Sequence, residues 1–495
     1  MKSIYTLFFG LFFPYMILTA QDQEILWAQN YEISNVNEVG ALTVDSADNI
    51  IIAGIHEGSV FVPYKGDLYM IKTDPNGNIL WSSEMTGELI ISDMTAVNDD
   101  IILAGQGYGT INYQDQQYGG ASYFMFVFML DANGDVVWHH IDESRNNIYC
   151  GNLSVGENGQ FALHTRTESN QGDWIMIFDS NGNVVNERLL HPTETLIVDI
   201  CYFNDNVYLT GEINGLSGIV IDTIWIPQSP FESTSFVLSL DNELTGKWVA
   251  IDTTLSNGDG TLEANEKGVF VYGETLQPPF NIVHNLKRFN LGGDLISEIV
   301  VPSFNENAIL FPDMALAEDR VALFQRNSFN NDNFLVQIFD ENLNLLTDKT
   351  ITGISDQYSN YIETQDKNFI ISHVHQSTLN LNDEITLPYE GSGKLPYLAK
   401  IGDPLISGFS KVSSGESAFS FYPNPAENQV TVSVSESRLL ASSMQIQDAS
   451  GNIVLERSIN DPVTTIDISY LSTGVYFLAI FSEKGESFRQ KLMIW

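Results

Sequence analysis

The chain has 495 residues, with 22 Lys or Arg against 63 Asp or Glu and a formal net charge of -41. A surface of that sign excludes nucleic acid and anionic lipid as partners. With 43% hydrophobic and 11% aromatic residues it is not a disordered polyanion.

At the N-terminus, Lys2 precedes an apolar run over residues 4–18, and Leu18-Thr19-Ala20 offers a small residue before polar Gln21. This pattern predicts a secretory signal peptide over residues 1–20. No cysteine follows the cleavage edge, so a lipoprotein anchor is not expected. No later run reaches the length of a membrane span, so no transmembrane segment is expected in the mature chain.

Residues 21–403 read as a repeat. Its cleanest copy runs from Tyr69 to Trp81 through Asp74-Pro75-Asn76-Gly77-Asn78, and the second runs from Phe126 to Trp138 through Asp131-Ala132-Asn133-Gly134. A third copy holds Asp179-Ser180-Asn181-Gly182, and weaker ones surround Asp241, Asn290, Asp340 and Gly402. Each is a strand, a tight turn and another strand, with Gly or Asn supplying the turn conformation. An apolar strand precedes each copy, at residues 49–54, 100–105, 160–165, 206–211, 268–273, 320–324 and 368–372. With one more strand before these, every unit has four strands, the size of a propeller blade.

The seventh copy, at residues 398–403, lacks its outermost strand, while Glu24-Ile25-Leu26-Trp27 matches Asn78-Ile79-Leu80-Trp81. The N-terminal strand is therefore expected to complete the seventh unit and close the ring, which hides two strand edges. The repeats resemble secreted bacterial propeller repeats of the Asp-x-Asn-Gly-x-x-x-Trp kind. The predicted fold is all-β: a seven-bladed β-propeller closed by the N-terminal strand, then a small Ig-like β-sandwich. A six-bladed ring or an open solenoid is the alternative.

Candidate sites are sparse. The Asp-x-Asn-Gly turns suit hairpin backbones better than calcium, with Trp81, Trp138 and Trp248 packing between blades. A second calcium candidate comprises Asn257, Asp259 and Glu266, although Leu255 occupies its first ligand position. His373 and His375 lie two apart on one strand face, a spacing that suits zinc, with His164 on a comparable strand. Cys150 and Cys201 precede consecutive inner strands, and export permits one bond between them. They are too few for a metal cluster or a disulfide framework. No nucleophile elbow, phosphate loop or zinc-protease motif occurs.

A Ser- and Gly-rich linker, residues 404–418, leads to a final module at residues 419–495. It opens on Tyr422-Pro423-Asn424-Pro425, turns at Asp448-Ala449-Ser450-Gly451, continues through Leu471-Ser472-Thr473-Gly474-Val475-Tyr476 and closes on Lys491 to Trp495. In this order and spacing the segment resembles the type A C-terminal sorting domain of the type IX secretion system of Bacteroidetes. Trp495 departs from the basic or small polar ending usual in that family. The resemblance implies the type IX machinery as partner and a secreted or cell-surface destination.

For the propeller itself, the reading is a non-catalytic binding or adhesion module for a polysaccharide or surface protein, with no cofactor beyond a possible role for calcium. An extracellular polysaccharide hydrolase or lyase is the first alternative, and a structural scaffold of the cell surface the second. The segments 105–121 and 214–235 are read as irregular insertions that carry specificity.

Overall fold

The structure is a computed structural model. It describes residues 23–494 except 34–35, 57–65, 145–147, 157, 168–171, 191–194, 214–217, 228–233, 253–259, 278–280, 302–308, 328–332, 353–360, 383–384, 390–392, 404–418, 423–425, 427, 435–441, 448–452, 460, 473 and 482–486. The expected signal peptide and linker lie outside the described residues. The described chain is all-β, without a helix. It divides into two compact units, Met1–Gly402 and Asp403–Trp495.

In the first unit the described strands form seven four-stranded antiparallel meanders. The first runs Val36–Val44, Ile50–His56, Asp67–Thr73 and Ile79–Val97. The last of these is shared: residues 79–85 pair with Asp67–Thr73, and residues 86–97 pair with Asp100–Tyr113 of the second meander. The innermost strands of the later meanders are Ile148–Val155, Thr195–Phe203, Thr261–Asn265, Ile309–Ala317 and Tyr361–Gln365. Each innermost strand touches the next in chain order, and Tyr361–Gln365 touches Val36–Val44, so the contacts form a closed cycle. The second strands, such as Ile50–His56 with every residue buried, are the apolar runs read from the sequence.

The N-terminal strand Glu24–Asn30 pairs antiparallel with Leu395–Gly402 and is the fourth strand of the last meander. This is the pairing expected from the match between residues 24–27 and 78–81. Its physical basis is shared with the other junctions. Trp81 Nε1 donates to Ala132 O at 2.9 Å, Trp138 Nε1 to Ser180 O at 3.0 Å and Trp248 Nε1 to Leu291 O at 3.0 Å. Each indole covers the turn glycine of the following meander: Gly134, Gly182 or Gly293. Trp27 lies on Gly77 in the same way, and Tyr31 adds a hydrogen bond to Gly77 O at 2.9 Å. Glycine is required at these turns, since φ is near +85° and a Cβ would press on the ring.

The turns themselves obey one pattern. In each, the carboxylate or amide oxygen Oδ1 of Asp74, Asp131, Asp179, Asp241, Asn290 or Asp340 accepts the backbone N–H groups two and four residues later. These oxygens are thus committed to the turn. The copies at Asp241 and Asp340 look degenerate because Leu244 and Leu343 take the left-handed position at φ 60° and 65°. Both leucine side chains are buried in the core, which offsets the strain.

Two expectations need correction. The segment 105–121 is not an irregular loop. It continues the strands Asp100–Tyr113 and Gln116–Leu130 around a two-residue turn at Gln114 and Asp115, both in the left-handed region. Ile111 and Tyr113 are buried along it, so alternation keeps the hairpin extended. The segment 214–235 contains a short hairpin, Ile219–Ile221 with Ile224–Ile226, tied down by Asp222. Asp222 accepts from Arg188 Nη1 at 2.8 Å and from Gly246 N at 2.7 Å.

The second unit has a three-stranded sheet (Phe419–Tyr422, Gln429–Val434, Val463–Asp467) and a four-stranded sheet (Ile453–Ile459, Ser442–Gln447, Gly474–Phe481, Ser487–Ile494). Val430, Val432 and Ile466 of one sheet share a core with Met444, Ile446, Leu478 and Ile480 of the other.

Candidate functional site

A cavity of about 740 Å³ lies in the first unit and is lined by the innermost strands of all seven meanders. Five carboxylates face it: Asp93, Asp199, Glu263, Asp313 and Glu363. Three of them come from one device. In the innermost strands of the second, fourth and sixth meanders the pairing register slips just before the Asp, between Ile91 and Asp93, Ile197 and Asp199, and Leu310 and Asp313. The irregularity re-aims the carboxylate, as bulges do.

One oxygen of each Asp accepts the N–H of its own following residue: Met94 at 2.8 Å, Ile200 at 2.8 Å and Met314 at 2.9 Å. The other oxygen crosses to the next meander and accepts from Leu153 N at 2.7 Å, Leu262 N at 2.8 Å or Ile362 N at 2.8 Å. Asp199 also receives Thr261 Oγ1 at 2.8 Å and Asn152 Nδ2 at 2.6 Å. Through the backbone amides these aspartates clasp the second meander to the third, the fourth to the fifth and the sixth to the seventh, and Asn152 also ties Asp199 back to the third. Glu263 and Glu363 follow Leu262 and Ile362 directly. Glu263 Oε2 accepts from Cys201 Sγ at 3.6 Å.

Burial around one cavity, with the neighbouring acids adding to it, sets their protonation. Burial away from water pushes Asp93 up to about 7, with the amides of Leu153 and Met94 opposing and the charge of Asp199 adding to the rise. Burial pushes Glu363 up to about 8, with Asp93 adding. Asp199 is raised, and Glu263 and Asp313 are held well above the usual carboxylate range, burial again being the main cause.

A pH dependence follows. Unfolded carboxyls titrate near ~4, so between that pH and the folded values the unfolded chain sheds protons that the folded chain keeps. Stability contributed by these groups is full in acid and lost as pH rises through about 7 for Asp93 and about 8 for Glu363. Denaturant titrations should show wild type losing stability from about pH 4 to about pH 8, with little further loss from Asp93 and Glu363 above that. Glu363→Gln should recover on the order of 2 kcal/mol at pH 9 and little in acid. Parallel pH profiles for the two proteins would refute this account.

Sequence reasoning missed these acids, because none sits in a catalytic motif. The available signal was spacing: Asp93, Asp199 and Asp313 each stand seven residues before the first residue of the next strand, Asp100, Asn206 and Arg320.

The residues singled out from the sequence are placed elsewhere. His373 and His375 are fully buried. The ring nitrogens of His375 pair with Ser377 O at 2.7 Å and Asn30 Oδ1 at 2.8 Å, and His373 Nδ1 pairs with Val374 O at 2.7 Å. Together they anchor strands. His164 pairs with buried Asp173 at 2.9 Å. Cys150 and Cys201 are buried thiols that are not joined. Cys150 packs in a core with Ile102 and Met125, and Cys201 in another with Leu262 and Val271, so they face different neighbouring meanders. Glu266 is exposed in a turn, while Asn257 and Asp259 lie outside the described residues.

In the second unit, Tyr422 is 59% exposed. Tyr476 is buried and donates to Ser472 O at 2.9 Å, and Leu471 is half-buried against the core. Gly474 begins its strand, and Lys491 pairs with Phe477 through the backbone. Pro423, Asn424, Pro425, Asp448 and Gly451 lie outside the described residues.

Residues 420–495 match the family described as a secretion system C-terminal sorting domain. The chain therefore carries the type IX sorting domain, which implies interaction with that secretion machinery and export to the cell surface or secretion. No curated protein matches the chain. Similar solved structures include the quinohemoprotein alcohol dehydrogenase of Comamonas testosteroni, at 10% identity over 83% of this chain and 80% of that one, TM-score 0.36. Another is a subtype N10 neuraminidase-like protein of A/little yellow-shouldered bat/Guatemala/060/2010, at 12% identity over 77% and 99%, TM-score 0.36. Likeness at this level carries no inference about activity. Among the described residues no helix is long and apolar enough to cross a membrane.

Proposed function

We propose that the first unit is a seven-bladed β-propeller, closed by its N-terminal strand, that the type IX system delivers to the cell exterior as a binding or adhesion module. The second unit is an Ig-like sorting sandwich in this reading, with Tyr422, Leu471, Gly474, Tyr476 and Lys491 among its recognition residues. Closure of the inner-strand contacts supports the blade count.

The observation that carries the binding reading is the display of aromatic side chains on the two hairpin insertions. Tyr108, 40% exposed, lies against Tyr123 with ring centroids 4.7 Å apart, and Trp225, 56% exposed, stands opposite Val220. Exposed rings with one apolar face and one polar edge suit sugar rings. The partner class is a polysaccharide or a glycosylated surface protein.

A second reading, a polysaccharide hydrolase or lyase, draws support from Glu263 and Glu363. Glu363, pushed by burial up to about 8, is suited to general acid work near neutral pH, and Glu263 is raised in the same direction.

The test is retention of the secreted protein on a panel of polysaccharides, with and without calcium, followed by assay for new reducing ends. Retention without cleavage, weakened by Tyr108→Ala or Trp225→Ala, is the expected result. Cleavage that disappears in Glu363→Gln favours the second reading. Retention unchanged by both aromatic substitutions would sink the assignment of the hairpins.

A further inference from the structure

We propose that His56, Asp67 and Glu84 form a site for one divalent transition metal of the zinc class. The three residues come from three neighbouring strands, Ile50–His56, Asp67–Thr73 and Ile79–Val97. His56 and Asp67 are direct cross-strand partners, and Glu84 lies opposite Tyr69, two residues beyond Asp67. Pleating places all three on one face of the sheet. Their potential ligand atoms lie within 4.8 Å of one another.

The histidine is the informative member. It is 8% exposed, its ring is set edge-on to Tyr69 at 6.2 Å, and its Nε2 sits 3.1 Å from Glu84 Oε1. Its Nδ1 is buried and has no hydrogen-bond partner. An imidazole held this way loses part of its hydration without full replacement, which is costly for a group kept only for packing. Two carboxylates beside it repel each other when ionised, and a divalent cation offsets both charges. Asp67 Oδ1 accepts Gly87 N at 2.8 Å, which fixes that carboxylate and leaves it further lone pairs. The Glu84 side chain is 49% exposed, so an ion has access from solvent.

The ligand set selects the metal. Calcium prefers oxygen ligands throughout, whereas zinc takes one imidazole nitrogen with carboxylate oxygens and tolerates a site of three protein ligands with an open position. The competing arrangement is a plain His56–Glu84 ion pair.

The experiment is equilibrium dialysis of the full-length secreted chain against Zn²⁺, followed by metal analysis. One zinc per chain is expected. His56→Ala and Glu84→Gln should each weaken binding at least about tenfold, as loss of a ligand in so small a set requires. His139→Ala, exposed on another meander, should leave it unchanged. Glu84→Gln alters an exposed side chain, so its circular dichroism should match wild type and keep the test valid if His56→Ala misfolds. Co²⁺ in place of zinc should give visible absorption with wild type and none with Glu84→Gln. No zinc uptake by wild type, or equal uptake by wild type and Glu84→Gln, overturns the proposal.

Discussion

Cells making the protein without residues 419–495 are expected to keep it in the periplasm, with the cell-surface and secreted pools falling to background. The truncation removes the segment that matches the sorting family and takes no strand from the meanders. The two sheets it deletes carry their own core around Val432, Met444 and Leu478. The loss should therefore be one of addressing and not of folding. Cell fractionation with protease shaving measures it, and the truncated protein should retain the β-rich circular dichroism of its first unit. A finer arm uses Tyr422→Ala: its side chain is 59% exposed, so substitution should cost little stability and act, if at all, on recognition. Efficient secretion of the truncated chain would refute the role of the tail.

The second large effect concerns the other end of the chain. Deleting residues 24–30 should abolish cooperative folding of the first unit and leave aggregated protein. The strand supplies the last partner of Leu395–Gly402, buries Ile25 and places Trp27 on the Gly77 turn. Ile25 alone represents about 2 kcal/mol of burial, and each strand hydrogen bond adds about 1 kcal/mol net. Together these approach the total of about 5–15 kcal/mol that holds a typical domain folded. Removal also bares an edge beside Ala399 and Ile401, a template for intermolecular pairing. Size-exclusion chromatography and thermal melts follow the outcome, and a synthetic peptide covering residues 23–33 should partly restore soluble protein. A truncated chain that stays monomeric and melts as wild type would show that the strand is dispensable.

Much of the fold was legible because the chain repeats its punctuation. Asp74, Asp131 and Asp179 mark turns whose hydrogen bonds are local, and local chemistry is what a sequence spells out. The indole latches were legible too, since Trp81 and Trp138 recur at a fixed distance from those turns. Pairing of residues 24–30 with 395–402 was found by matching the orphan strand to a missing one. The cavity was not legible. Asp93, Asp199 and Asp313 meet because strands far apart in the chain converge, and each acid in isolation looks like one of 63. The hairpin at residues 105–121 was misread because Gly and Tyr content signals a loop, while the buried alternation of Ile111 and Tyr113 decides for strands. The two cysteines looked bridgeable by position, but neighbouring strands in such an array aim their side chains at different interfaces.

The aspartate-to-amide clasps join meanders two to three, four to five and six to seven, and an odd number cannot be shared out in pairs. The first meander is the remainder. At the position of the clasping aspartates its innermost strand carries Ala41, opposite Ala53, where Asp93 stands opposite Ala104. The ring is thus a tiling with one defect, and the defect adjoins the seam where the N-terminal strand meets the last meander. Thermal fraying has its natural starting point at that seam, and amide exchange should spread outward from it before it reaches the three clasped pairs.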